Sequence, residues 1–125
     1  MTTWTATELG EIDQNDELDL QSERADGSLR RPVTMWVVRH DDDLYVRAVK
    51  GRDGWYKGTR SRHQGHIRSG KVDKDVSFVD AEGDSTLDEA LDTAYRTKYR
   101  DYSENIVGHV TNDQARGATL KLVPR

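Results

Sequence analysis

The chain has 125 residues, 34% of them apolar and 34% charged, which makes one domain spanning 1–125 with a modest core under a heavily charged surface. It contains no cysteine, and so excludes disulfides, thiolate catalysis and thiolate metal sites. No apolar run is long enough to span a bilayer and no charged-then-apolar leader opens the chain, a pattern that fits a cytoplasmic protein. The net charge of −4 is unevenly spread: residues 50–71 hold seven Lys/Arg against the single acid Asp53, a local charge of +6 that leaves −10 elsewhere. Such a segment is a candidate anion site, or a solvated basic loop that balances acidic neighbours.

In chain order, residues 1–16 read as a short helix. Thr5 at its N-cap and Glu8 at N3 make a capping box, and Trp4 with Leu9 makes a hydrophobic staple. Trp4, Leu9 and Ile12 then form the underside of a lid. Residues 18–24 alternate as a half-buried strand, and Asp26-Gly27 signals a turn. Pro32 lacks an N–H and suits a strand start or a sheet edge. Residues 33–40 predict one strand apolar on both faces, with Val33, Met35 and Val37 on one side and Thr34, Trp36 and Val38 on the other.

A tight acidic turn at Asp41-Asp42-Asp43 leads into a returning strand over 44–50. The loop 51–65 holds four of the ten glycines. Short strands follow around Ile67 and over 76–78, separated by a turn at Ser69-Gly70. Residues 85–102 show the clearest helical period, with Leu87, Leu91, Ala94 and Tyr95 on one face and a cap from Ser85 or Thr86. Tyr95, Tyr99 and Tyr102 read as the packing stripe of that helix. Residues 105–116 are less regular, and 118–123 close the chain as a strand. The expectation is a mainly β (α+β) fold: one small antiparallel barrel of about six strands, a long helix in the C-terminal half and a short N-terminal helix. Leu44, Val46, Ala48, Val76, Phe78, Leu120 and Leu122 are its predicted interior.

The run Pro32-Val-Thr-Met-Trp-Val-Val, the acidic turn, Leu44-Tyr-Val-Arg-Ala, Lys50-Gly and Trp55-Tyr56 resembles the FMN- and deazaflavin-binding split β-barrel superfamily, which is pyridoxamine-phosphate-oxidase-like. Within it the likeness is nearest to the deazaflavin-dependent nitroreductase branch or to one of the superfamily's domains of unknown function. It covers residues 30–79. The resemblance implies FMN or deazaflavin as cofactor and a nitroreductase-like oxidoreductase acting on a small molecule. Carried onto matching positions, it implicates Arg30, Thr34, Arg47, Lys50, Gly51, Trp55, Tyr56 and Arg60 in cofactor binding, and it implies a homodimer. That branch has a Gly-Arg-Lys-Ser-Gly-like run before the apolar strand; this chain reads Arg24-Ala-Asp-Gly-Ser-Leu-Arg30 instead.

The same residues make physical sense without the family. Gly51, Gly54 and Gly58 let backbone N–H groups approach a phosphate, Arg60 and Arg62 offer planar forks, and Trp36, Trp55 and Tyr56 offer flat apolar surface. Each also has a structural reading: Trp36 as core, Trp55 and Tyr56 as a plug that seats the loop, Arg47 as a salt-bridged residue. No catalytic residue can be assigned. His63 and His66 have HxxH spacing without a third ligand, so no metal site is assigned; His40 and His109 are isolated. Two other functions fit the pattern. One is a single-stranded nucleic-acid-binding module, which the net negative charge disfavours. The other is a non-catalytic cofactor-binding protein.

Overall fold

The computed structural model describes residues 3–125, so the first two positions of the predicted N-terminal helix, Met1 and Thr2, lie outside the described residues. Helix α1 (Ala6–Gln14) starts at the predicted capping box: Glu8 N–H donates to Thr5 Oγ1 at 3.1 Å and Thr5 N–H donates to Glu8 Oε1 at 2.9 Å. Trp4, Leu9 and Ile12 are buried in the main core, and the Trp4 indole donates to the carbonyl of Leu122 at 2.9 Å. The helix is therefore a lid sewn to the far end of the chain.

Seven strands follow: β1 (Glu17–Ser22), β2 (Val33–Trp36), β3 (Val38–His40), β4 (Asp43–Arg47), β5 (Gln64–Ser69), β6 (Val72–Asp80) and β7 (Thr119–Pro124). They form one antiparallel sheet in the order β2-β1-β5-β6-β7-β4-β3. Its two edge strands, β2 and β3, are consecutive in the chain. The sheet therefore curls until its edges are joined covalently at Val37, which makes a split barrel. Pro32 immediately precedes edge strand β2, where a missing N–H costs no ladder bond. The interior is the predicted one: Leu44, Val46, Ala48, Val76, Phe78, Leu120 and Leu122 are all buried together.

The single strand expected over 33–40 is two, and this is the source of the seventh strand. Val37 stands outside both ladders, and its backbone is satisfied by side chains instead. Its N–H donates to the Tyr99 hydroxyl at 3.0 Å, and its carbonyl accepts from Lys98 Nζ at 2.8 Å. The Tyr99 hydroxyl in turn donates to the Asp16 carbonyl at 2.6 Å. Period-two alternation continues through the break, so Val37 faces the barrel core and Val38 faces the outer helix. That continuity hides the break from a hydropathy reading.

The outer helix α3 (Ser85–Lys98) is capped by Asp84, which accepts from Leu87 N–H, one residue before the predicted caps. Leu91, Tyr95 and Tyr99 are buried in a second cluster against Val38 and Tyr45, with Leu87 and Ala94 at its margin. Tyr102 lies beyond the helix end and is 41% exposed. The irregular stretch contains two one-turn helices, α4 (Glu104–Val107) and α5 (Asp113–Arg116), capped by Ser103 and Asn112. Between β4 and β5 the glycine-rich loop contains a further short helix, α2 (Trp55–Gly58). No helix among the described residues is long and apolar enough to cross a membrane.

Candidate functional site

Edge strand β2 and the segment continuing past β4 leave a gap between them, a hollow of about 510 Å³. Val33, Thr34, Met35 and Trp36 form one wall; Arg47, Ala48, Val49 and Lys50 form the other. Trp55 closes one end, and Ile106, His109 and Val110 reach in from the far end of the chain. The walls are mainly apolar, with Glu17, Lys50, Asp53 and His109 as the ionisable groups beside Arg47. Trp36 is braced from behind by Tyr99, stacked at 3.8 Å and 4°, and by Tyr102 at 4.8 Å. A flat rigid wall results, because the indole cannot tilt without displacing buried Tyr99.

On the other face of Trp55 lies a second hollow of about 450 Å³, lined by Ser22, Arg30, Arg31, Lys57 and Gly58 and sharing Val33, Gly54 and Trp55 with the first. Its three cations have no carboxylate within ion-pair distance among the described residues. Arg30 donates from Nη2 to Ser61 Oγ at 3.2 Å, while its buried Nε has no hydrogen-bond partner. Gly58 makes the room: a Cβ there would stand 2.9 Å from Arg30 Nε and 3.0 Å from Ser22 Oγ.

The structure brings some of the sequence-predicted residues together here and engages others elsewhere. Thr34, Lys50 and Trp55 line the first hollow, and Arg30 lines the second. Gly51 follows Lys50 with φ +65°, and its missing Cβ lets the loop lie on Gln114 of α5, whose Cγ would be 2.6 Å away. The Thr34 hydroxyl donates to Asp19 at 2.6 Å. Arg47 sits on the wall with its charge already paired. It has no exposed side chain and donates to Asp92 Oδ1 at 2.5 Å, the Val110 carbonyl at 2.8 Å and Thr119 Oγ1 at 3.2 Å. Asp92 also pairs with Arg116. Burial alone would raise the Asp92 carboxyl, but hydrogen bonds from Arg116 and Arg47 outweigh it and hold the group below its usual range.

Tyr56 is 2% exposed and points into the core. The Arg60 guanidinium lies over its ring at 4.6 Å and pairs with Asp80 at 2.5 Å, lining neither hollow. Tyr56 is thus the plug that seats the loop, and Arg60 clamps it. His66 of the HxxH pair is held between Asp73 and, at 2.8 Å, Asp75 on the outer face of the barrel. No group of three His, Cys, Asp or Glu among the described residues could hold a metal.

Sequence reasoning missed Arg31 and Lys57, and also Met35, Val49, Ile106 and His109 as walls. The first two belong to visibly basic runs. The far-end residues carry no local signal, because only the docking of α4 and α5 brings them to the gap.

Three solved structures of similar fold set this arrangement in context. HutZ, the heme storage protein from Vibrio cholerae, matches with a TM-score of 0.66 and 16% identity, over 100% of this chain and 92% of its own. An F420-H2 dependent reductase matches at 0.60 and 16%, over 86% and 93%. An FAD-binding protein from Mesorhizobium loti matches at 0.59 and 14%, over 98% and 91%. At such identities the likeness is one of fold alone, that of a split barrel. No curated protein matches the sequence. The profile of DUF2255, described as an uncharacterized protein conserved in bacteria, matches residues 8–122, and the chain belongs to that family.

Proposed function

We propose that the chain binds a flavin-type cofactor, FMN or a deazaflavin, with the ring in the apolar hollow and the phosphate in the basic one. The observation that carries this reading is their shared wall, Trp55. An apolar slot and an uncompensated set of three cations, Arg30, Arg31 and Lys57, meet at one indole. The residues present suit such a group. The orphaned Arg30 Nε and the space left by Gly58 make a cradle for an anion, and Trp36 and Trp55 offer flat contact, with Met35 as apolar lining. Thr34 and Lys50 supply polar contacts on the ring's wall. When bound, the cofactor supplies hydride chemistry, and a nitroreductase-like reaction on a small molecule is the activity that the resemblance suggests. The protein's part is to orient the ring and exclude water from it.

Val49 and Ile106, 48% and 45% exposed, flank the apolar hollow. We propose that a second copy covers them, so that the working form is a homodimer; light scattering at micromolar concentration checks this, and a monomer overturns it. For the cofactor, titration with FMN, riboflavin, deazaflavin and a single-stranded oligonucleotide at two salt concentrations decides. Saturable FMN or deazaflavin binding, weakened roughly tenfold or more by Arg30→Ala, is expected. No binding of either cofactor at high micromolar concentration, with salt-steep oligonucleotide binding, refutes the reading in favour of a nucleic-acid module. Weakening of riboflavin as much as FMN by Arg30→Ala refutes the assignment of the basic hollow to phosphate.

A second reading rests on His109 and Met35, which both line the apolar hollow and are residue types that ligate haem iron. A Soret band on adding hemin, lost in His109→Ala, would favour it.

A further inference from the structure

Away from the site, α1 and α3 enclose a hollow of about 580 Å³ beside β3, lined by Asp13, Asp16, Arg39, Ala94 and Arg100 with Lys98 at its wall. Lys98 Nζ donates to the carbonyl of Val37 at 2.8 Å and to that of Ile12 at 3.4 Å, and lies 5.4 Å from the Tyr99 ring. No carboxylate among the described residues comes within 4 Å of it, although Asp13 and Asp16 belong to the same hollow. The amine is thus half-buried without a paired charge, at the wall of an open space. Burial lowers its pKa to about 8 against the opposing pull of Asp13 and Asp16. The charged groups facing it are those two acids, Arg39 and Arg100. A sizeable neutral fraction near pH 7.5 makes this amine a better nucleophile than an ordinary lysine.

We propose that Lys98 is an acylation site for acyl phosphates, and that acylation loosens the junction at Val37 where the barrel closes. In the reaction the neutral amine attacks the acyl carbon, the bond from that carbon to the phosphate oxygen breaks, and inorganic phosphate leaves. The proton lost from nitrogen goes to water. The amide formed keeps one N–H, where the ammonium had three. It therefore cannot hold both carbonyls, and the added acyl group must enter the hollow between α1 and α3. Val37 adjoins Trp36 and strand β2, so the change reaches the wall of the candidate site without touching any ligand there.

The test uses the whole protein and acetyl phosphate. Acetyl occupancy at Lys98 and at the exposed Lys50, Lys57 and Lys71 is followed by mass spectrometry between pH 6.5 and 10. Lys98 is expected to react roughly tenfold faster than the other three at pH 7.5, with its rate levelling off above pH 8. Hydrogen exchange of the peptide covering residues 33–40 is then expected to quicken roughly tenfold in acetylated protein, and likewise in Lys98→Gln but not in Lys98→Arg. Equal or slower reaction at Lys98, or a rate still rising to pH 10, overturns the site. Unchanged exchange in the acetylated wild type overturns its effect on the junction.

Discussion

Replacing Asp92 by Ala tests whether Arg47 is structural or a ligand contact. The Asp92 side chain is 3% exposed, and its loss leaves the fully buried Arg47 guanidinium with only the more distant carboxylate of Asp88, at 3.5 Å. Two backbone acceptors, the carbonyls of Val110 and Asp88, remain to hold it. Removing one partner of a buried ion pair typically costs about 3–5 kcal/mol. That is a large share of the roughly 5–15 kcal/mol by which a domain is stable. For a chain of this length, roughly 3–5 °C in Tm is lost per kcal/mol, so the variant should melt about 10–20 °C lower. Urea unfolding of wild type, Asp92→Ala, Arg47→Met and the double variant checks it. Arg47→Met should be the milder change, because it removes the buried charge while keeping most of the volume. If Asp92→Ala costs less than about 1 kcal/mol, the pair is not the fastening described here. If Arg47→Met keeps full stability but abolishes cofactor binding, Arg47 reaches the ligand after all.

Three further outcomes follow from named contacts. In Tyr99→Phe the Val37 N–H and the Asp16 carbonyl lose their shared hydroxyl; a loss of about 1–3 kcal/mol in urea unfolding is expected, and an unchanged midpoint would refute the latch. In Gly58→Ala the new Cβ displaces Arg30, so affinity for FMN should fall to that for riboflavin while riboflavin binding is unaltered; equal loss of both would sink the cradle. Burial would lower the pKa of His66, but its hydrogen bonds to Asp75 and Asp73 outweigh that and raise it. Its stabilising effect is therefore complete below about pH 6.5 and is lost as pH rises through the higher folded value. On this partly exposed face it should contribute at most about 1 kcal/mol, seen as a wild-type excess over His66→Gln at pH 5.5 that vanishes at pH 9.

Local chemistry settled much of this protein before any fold was in view. The Thr5–Glu8 capping box, the Asp26-Gly27 and Ser69-Gly70 turns and the alternation of Leu44, Val46 and Ala48 each depend on near neighbours and a period of two or 3.6. The same holds for the packing face of α3 and for the core status of Tyr95 and Tyr99, though not for Tyr102. Even the basic loop with Trp55 at its centre was visible as a charge count. What only the tertiary structure decided are events between residues distant in the chain. The strand break at Val37 arises because Tyr99 and Lys98, some sixty positions away, satisfy its backbone, and side-chain periodicity carries no trace of that. From the sequence Arg47 reads equally as a ligand contact or a salt-bridged residue, Tyr56 as a ring surface or a plug, and Arg60 as an open fork. Asp92, the core and Asp80 engage them, because a buried or half-buried charge finds its counter-charge in space rather than along the chain. Arg30, Arg31 and Lys57 have no such partner among the described residues and line one hollow together, a juxtaposition in space that composition cannot express.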